Sequence, residues 1–259
     1  MKDFIELTIK KTIDEYSNRP EIKTTWKEPL VGYADVYGDV IRNIKEITIP
    51  SHPLPEEILP EATIVVCYFL PFTEDIAKSN IKVEDNYASP EWAQAYEETN
   101  DLIEIINEKL VDELIRKGYK AINVKDRFPI SEEYQYSHWS QRHMAYAAGL
   151  GTFGVNNLLI SDVGCCGRYG SIVTNLDVVA GKPIEGTNCL YKFSNTCLAC
   201  VKSCFTDSLA PDYTLFKRNV CAKICERNSK RYGEKRTCCG KCAVGLPCSH
   251  KNPIKMLKR

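Results

Sequence analysis

The chain has 259 residues, 34 basic and 34 acidic side chains, 44% hydrophobic and 26% charged residues: a balanced composition, long enough to bury a full core. No apolar run approaches the roughly 20 residues that span a bilayer, and Met1-Lys2-Asp3 runs directly into an amphipathic segment, so neither an anchor nor an export leader is expected and the cytoplasm is the expected compartment. Thirteen cysteines in such a chain point to metal rather than to a disulfide framework.

Residues 3–17 place Phe4, Ile5, Leu7, Ile9 and Ile13 at near-helical spacing, which predicts a first amphipathic helix. The next forty or so residues, rich in Pro, Gly and Tyr, read as irregular up to Ser51-His52-Pro53-Leu54-Pro55. From Ala62 to Leu70 a short apolar run, stopped by Pro71, has the pattern of a central strand covered on both faces, with Cys67 as a small buried hydrophobe. Ser89-Pro90-Glu91 is a helix start: a capping hydroxyl, proline in the first turn, and an acid near the positive end. The helix runs to about Lys117, with Leu102, Ile106, Leu110 and Leu114 on one face and Gly118 as its stop. Lys120 to Val124 reads as a further strand. Strand, long helix and strand make a crossover unit, so an α/β layer is expected.

Gly149-Leu150-Gly151-Thr152-Phe153-Gly154 matches G-x-G-x-x-G, but a helix from Ser140 to Ala148 precedes it and a strand at 157–160 follows. A dinucleotide site needs the reverse order. These glycines are expected to serve tight turns or the close approach of a large ligand. The doublet Cys165-Cys166 between Gly164 and Gly167 is unusual; a cofactor contact, a redox role and a plain turn all fit it.

Ten cysteines fall between Cys189 and Cys248. Cys197-x2-Cys200-x3-Cys204 is similar to the last three cysteines of the bacterial ferredoxin run, whose final thiolate crosses to the other cluster. The run departs from that pattern at Ser194, where the first cysteine would stand, and at Phe205, where proline would; Cys189 must then reach in from upstream. Cys239-x2-Cys242 followed by Cys248 forms a looser second set. Two cubane clusters need eight thiolates, and the candidates are Cys189, Cys197, Cys200, Cys204, Cys221, Cys239, Cys242 and Cys248, with Cys225 and Cys238 as rivals to Cys221 and Cys239. If the crossing holds, Cys189, Cys197, Cys200 and Cys248 share one cluster and Cys204, Cys221, Cys239 and Cys242 the other. Tetrahedral zinc also suits paired C-x2-C units, but the C-x3-C extension and the surplus of cysteines favour iron–sulfur. Lys and Arg dominate from Lys217 onward, against only Glu226 and Glu234. They either offset the negative charge of the clusters or form a docking face for nucleic acid or an acidic electron carrier.

The run R-H-x-A-x-x-A-G-L-G-T-F-G-V-N-N-L-L-I from Arg142 to Ile160, followed by R-Y-G-S-I-V-T-N-L from Arg168 to Leu176, resembles the corrinoid-binding core of the epoxyqueuosine reductase and reductive dehalogenase superfamily. The resemblance implies an α/β fold: a nitroreductase-like α+β cobalamin-binding domain, placed at 1–185, and a ferredoxin-like domain with two [4Fe–4S] clusters at 186–259. It implies a cobalamin-dependent oxidoreductase whose clusters pass electrons from a ferredoxin- or flavodoxin-type donor to the cobalt. The cobalt in turn reduces an organic or nucleoside substrate, a small molecule or a modified base in tRNA. By the same resemblance Tyr96, Arg142, Asn156 and Ser171 would face the corrin. The family's proton-donating aspartate falls on Gln135, and an amide is no general acid, so Tyr134, Tyr136 and His138 are the substitute proton donors. Two other readings are an electron-transfer or corrinoid-handling protein without its own substrate, and a zinc-stabilised nucleic-acid-binding protein.

Overall fold

The computed structural model describes residues 1–124 and 137–257. In chain order its helices and strands are α1 (Lys2–Ser17), β1 (Leu30–Asp35), the short helices α2 (Asp39–Arg42), α3 (Ile44–Ile47) and α4 (Pro55–Ile58), β2 (Ile64–Pro71), α5 (Glu74–Ser79), α6 (Pro90–Arg116) and β3 (Ala121–Asn123). There follow α7 (Gln141–Ala147), β4 (Thr152–Phe153), β5 (Leu159–Ile160), β6 (Gly167–Thr174), α8 (Leu190–Ser194), α9 (Ala199–Lys202), α10 (Arg218–Tyr232) and α11 (Pro253–Leu257).

The expected central strand is present: all eight residues of β2 are buried, and β2 lies between β1 and β6 in a sheet of order β1-β2-β6-β3. The expected crossover from β2 through α6 to β3 is also present, but β6 enters between the two strands and pairs antiparallel with both. The sheet is therefore antiparallel at every step. β1 falls in the stretch expected to be irregular. Its Gly32 sits where an added Cβ would lie 3.0 Å from the Ala148 carbonyl oxygen, so the bare backbone lets the end of α7 close over the strand.

One face of the sheet is covered by α6 and α1. Ser89 Oγ accepts from the Trp92 amide at 3.0 Å, as its position predicts. Leu102, Ile106, Leu110 and Leu114 are completely buried against Ile5, Ile9 and Ile13 of α1 and against Tyr68 and Leu70 of β2. Each such side chain contributes about 1.5–3 kcal/mol on burial. Gly118, at φ +86°, ends the helix. In α1, Leu7 points outward and Thr8 and Thr12 take the inner face instead. Their hydroxyls donate to the Phe4 and Thr8 carbonyls at 2.8 and 2.7 Å, which makes burial of the threonines tolerable.

The opposite face packs on α7, with Met144, Ala145 and Ala148 against Val65, Cys67 and Val173. Cys67 is fully buried, and burial alone pushes its thiol pKa up, as befits a core hydrophobe.

The cysteine-rich segment shares a third core with the body of the chain: Phe72, Trp92, Val155 and Ile160 pack with Cys189, Cys238, Ala243 and Val244. Polar pins reinforce it. Asn228 Oδ1 accepts from the Ala88 amide at 2.7 Å, and the Tyr232 hydroxyl donates to the Ala88 carbonyl at 2.8 Å. Arg236 and Lys235 pair with Glu97 and Asp101 of α6. Part of the basic stretch from Lys217 is thus spent on holding the segment to the body. No described helix is long and apolar enough to cross a membrane.

Candidate metal centres

The cysteine-rich segment is built of short helices and tight turns, and each places thiols inward. Cys189 caps α8, Cys200 lies in α9 with Cys197 just before it, and Cys204 follows α9. Cys221 and Cys225 are one helical turn apart on α10. Cys239 and Cys242 flank a turn that Gly240 makes at φ +77°, and Cys248 follows a second turn at Gly245, φ +68°.

These thiols line two cavities. One, of about 20 Å³, is bounded by Cys189, Cys197, Cys200 and Cys248, with apolar walls from Val155, Ile160, Leu190 and Leu246. The other, of about 280 Å³, is bounded by Cys204, Cys221, Cys225, Cys238, Cys239 and Cys242, with Cys165 at its edge. Cys204 parts from Cys197 and Cys200 and faces the other cavity, the division that a ferredoxin-type crossing anticipates. Among the described residues no three Cys, His, Asp or Glu side chains gather closely enough to hold a single metal ion. A larger cavity, about 360 Å³, lies at Lys10, Glu28, Gly149 and Asp162 and is bordered by no cysteine.

Burial pushes the Cys200 and Cys238 thiols up to about 12 and raises Cys239 and Cys242 as well. Cys225 is raised and Cys221 lowered chiefly by the hydrogen bond that joins them. At Cys204 burial works upward, but hydrogen bonds from Thr206 and from the backbone at Leu209 and Ser208 outweigh it and hold the thiol below its ordinary value. A buried thiol resists ionisation unless positive charge arrives with the ligand, which is what an iron core provides.

Cationic side chains surround the larger of the two thiol-lined cavities: Arg142, Arg168, Arg218 and Lys241 line it, and no carboxylate is among the described lining residues. Arg142 is held below its ordinary value by burial and then by Arg218 and Arg168. The Arg168 guanidinium lies 4.0 Å from the centre of the Tyr96 ring. A thiolate-ligated cluster, itself anionic, is the counter-charge this arrangement suits. Arg168 opens the R-Y-G-S-I-V-T-N-L run, two residues after the Cys165-Cys166 doublet, but was assigned no role at a site.

The residues implied to face a corrin are placed as follows. Tyr96, Arg142 and Asn156 border the larger thiol cavity; Ser171 does not. Ser171 is fully buried, accepts from Trp139 Nε1 at 3.0 Å and donates to Gln141 Oε1 at 2.6 Å. Asn156 Nδ2 donates to the Cys242 carbonyl at 2.9 Å and its Oδ1 accepts from the Leu158 amide at 3.2 Å. Arg142 donates to the Asn157 carbonyl. His138 pairs with Ser51 Oγ at 3.2 Å and is absent from both thiol-lined walls. Tyr134, Gln135 and Tyr136 lie outside the described residues. The glycines of the G-x-G-x-x-G match serve the chain's own backbone: an added Cβ on Gly151 would lie 2.5 Å from the Ile160 carbonyl oxygen, across the β4–β5 pairing.

Fold and site together define a mixed helix-and-sheet protein whose cysteine-rich segment encloses two thiol-lined cavities against the body. No protein-family model matches the chain, and no curated protein matches it. Among solved structures it is similar to a selenomethionine-labelled epoxyqueuosine reductase, at 15% identity and TM-score 0.54, over 94% of this chain and 66% of that one. The epoxyqueuosine reductase from Streptococcus thermophilus aligns at 16% identity and TM-score 0.54, over 96% and 67%. The enzyme from Bacillus subtilis, solved with its catalytic aspartate loop swung out of the active site, aligns at 13% and 0.51, over 94% and 66%. At such identities the likeness is one of fold, and the chain spans about two thirds of the length of those enzymes.

Proposed function

We propose that this chain is an iron–sulfur oxidoreductase of the epoxyqueuosine reductase type, with segment 186–259 holding two [4Fe–4S] clusters against the body formed by 1–185. The supporting observation is the sorting of the thiols. Cys189, Cys197, Cys200 and Cys248 line one cavity, and Cys204, Cys221, Cys239 and Cys242 line the other. Cys225 and Cys238 border the second cavity too, as alternative ligands or uncoordinated neighbours.

When bound, such clusters pass electrons singly. The chain's own part is to hold the thiols apart in two quartets and to exclude water with Val155, Ile160, Leu190 and Leu246. Arg142, Arg168 and Arg218 balance the charge. In this reading electrons arrive from a low-potential carrier of ferredoxin or flavodoxin type and leave to an organic acceptor, with a modified base in tRNA as the candidate suggested by the fold.

The corrinoid that the resemblance adds has less support. Three of the four side chains assigned to it already spend polar atoms on the protein itself. The cavity that Tyr96, Arg142 and Asn156 share is the one the thiols line, so a cluster and a corrin would compete for the same walls. The described residues therefore do not fit a corrin, and no step is routed through one. Titration with hydroxocobalamin tests this directly: a saturable change in corrin absorption would restore the cofactor, and none is expected.

The deciding experiment is anaerobic reconstitution with ferrous iron and sulfide. About eight iron and eight sulfide per chain are expected, the content of two cubanes, with fewer in Cys248→Ala. Stoichiometric zinc without acid-labile sulfide would sink the proposal.

A further inference from the structure

Residues 217–236 carry eight basic and two acidic side chains, whereas the chain as a whole is balanced. Three of the eight hold the segment in place: Arg236 pairs with Glu97, Lys235 with Asp101, and Arg227 donates to the Asp85 and Asn86 carbonyls at 3.1 Å. Lys217, Lys223, Lys230 and Arg231 are exposed. Lys230 pairs with Glu226 one turn back at 2.7 Å, but both groups stand in solvent, so the pair is weak and open to exchange.

Helical period sorts α10 into two sides. Cys221 and Cys225 border the larger thiol-lined cavity together with Ile224, and Asn228 and Tyr232 are bonded to Ala88 of the body. Lys223 and Lys230 lie about half a turn away from both cysteines. The helix is thus a fixed wall with thiols on its inner side and lysines on its outer side. Just before it, the turn Tyr213–Leu215 leaves Tyr213 76% and Leu215 62% exposed. Asp212 Oδ1 fixes that turn by accepting from the Thr214 amide at 2.9 Å. Large apolar side chains held in the open beside a positive helix suit contact with another molecule.

We propose that the outer side of α10, with the turn Tyr213–Leu215, is the docking surface for an acidic electron carrier of the flavodoxin or ferredoxin type, and that electrons enter at the centre in the larger thiol-lined cavity. The inference rests on the two-cluster reading. Position decides between the two kinds of polyanion that a basic surface attracts. A carrier on the outer side stands one helix thickness, about 10–12 Å, from the thiols on the inner side. It gives up one electron and the centre gains one; no bond forms or breaks. A nucleic acid seated there would have the whole helix between its bases and the metal. Leu215 also suits a protein, since it offers a base no ring to stack on, whereas an apolar patch within a charged rim is usual between proteins.

Stopped-flow reduction of the reconstituted full chain by reduced flavodoxin, followed as loss of cluster absorption, tests the surface. At low ionic strength Lys223→Glu combined with Lys230→Gln should keep its iron and lower the second-order rate by about tenfold or more. Added salt should shrink that difference. Tyr213→Ser combined with Leu215→Ser should lower the rate at low and high salt alike. Photoreduced deazariboflavin, small and uncharged, should reduce wild type and both variants at the same rate. Equal flavodoxin rates in all three proteins would overturn the proposal. A parallel loss with deazariboflavin would overturn it too, by placing the damage in the clusters. So would a lysine variant that keeps its flavodoxin rate but loses affinity for an RNA stem-loop, which would assign the surface to nucleic acid. Wild-type protein that takes up no iron would instead overturn the two-cluster reading beneath it.

Discussion

Lys241 Nζ donates to the Asn80 carbonyl at 2.7 Å, and Asn80 Nδ2 donates in return to the Cys239 carbonyl at 2.9 Å. Asn80 Oδ1 also accepts from the Ser89 amide at 2.9 Å, beside the start of α6. One fully buried asparagine thus ties a proposed cluster ligand to the longest helix of the body. Asn80→Ala should cost about 2–3 kcal/mol, because it leaves the buried Ser89 amide and Cys239 carbonyl without their side-chain partners, and should reduce iron retention at the larger thiol-lined cavity. Urea denaturation and iron analysis measure the two effects. A variant as stable as wild type would show that the tie carries no energy.

A second contact at the same seam is steric. Gly240 has φ +77°, and a Cβ there would run into the Trp92 indole. Gly240→Ala should therefore destabilise the protein by about 3 kcal/mol or more and displace Cys239 and Cys242 from the cavity, with loss of iron. Adding Trp92→Leu should recover part of the iron, since it removes the ring that the new methyl meets. Failure of that recovery would locate the damage in the backbone conformation alone.

His143 gives a dependence on pH. Its pKa is lowered to about 4, first by burial and then by Arg142 and His52, while Ser140 Oγ pairs with its Nδ1 at 2.7 Å. The unfolded chain binds this proton more readily than the native one. The stabilisation is therefore complete above the unfolded value near 6.5, is lost as pH falls toward about 4, and is constant below. A shift of this size corresponds to about 3 kcal/mol across that window. His52, also lowered by burial, adds with the same sign. The stability difference between wild type and His143→Gln should narrow as pH drops through this range; a difference independent of pH would refute the assignment.

Removal of iron should loosen the cysteine-rich segment before the rest. Without metal, the buried thiols of both cavities lose the bonds that join α8, α9 and α10 to the turns at Gly240 and Gly245, whereas the core of α1, α6 and the sheet contains no cysteine ligand. Limited proteolysis after anaerobic chelation should cut first between about residues 190 and 250. Simultaneous cleavage within α6 would contradict this order.

Much of the body was legible from period and capping. The inner face of α6, the cap at Ser89 and the all-buried β2 each follow from a local pattern, whereas in α1 the period misplaces exposed Leu7 and misses buried Thr8 and Thr12. The sheet order was not, because β6 inserts between β2 and β3 from some fifty residues later, and no local signal records that pairing. β1 was hidden because Gly32 breaks its pattern for the sake of a packing partner, Ala148, far along the chain. At the site, Cys189, Cys197, Cys200 and Cys248 border one cavity and Cys204 borders the other with Cys221, Cys239 and Cys242, but Cys225 and Cys238 border it too and spacing does not choose among these six. The residues inferred from a shared motif fared differently: Ser171 keeps its place in the strand, yet Trp139 and Gln141 take up its hydroxyl. A motif records position along the chain, and the hydrogen bonds at that position are decided by what packs over it.

The smaller cavity has a consequence for biosynthesis. Three of its thiols, Cys189, Cys197 and Cys200, emerge from the ribosome well before the fourth, Cys248. Its walls also need Leu246 and Pro253. That quartet is incomplete until Cys248 has emerged, and the nascent chain meanwhile offers Cys221 and Cys225, a single helical turn apart, as a competing pair of thiols. The order of synthesis thus makes the timing of iron delivery matter as much as its supply.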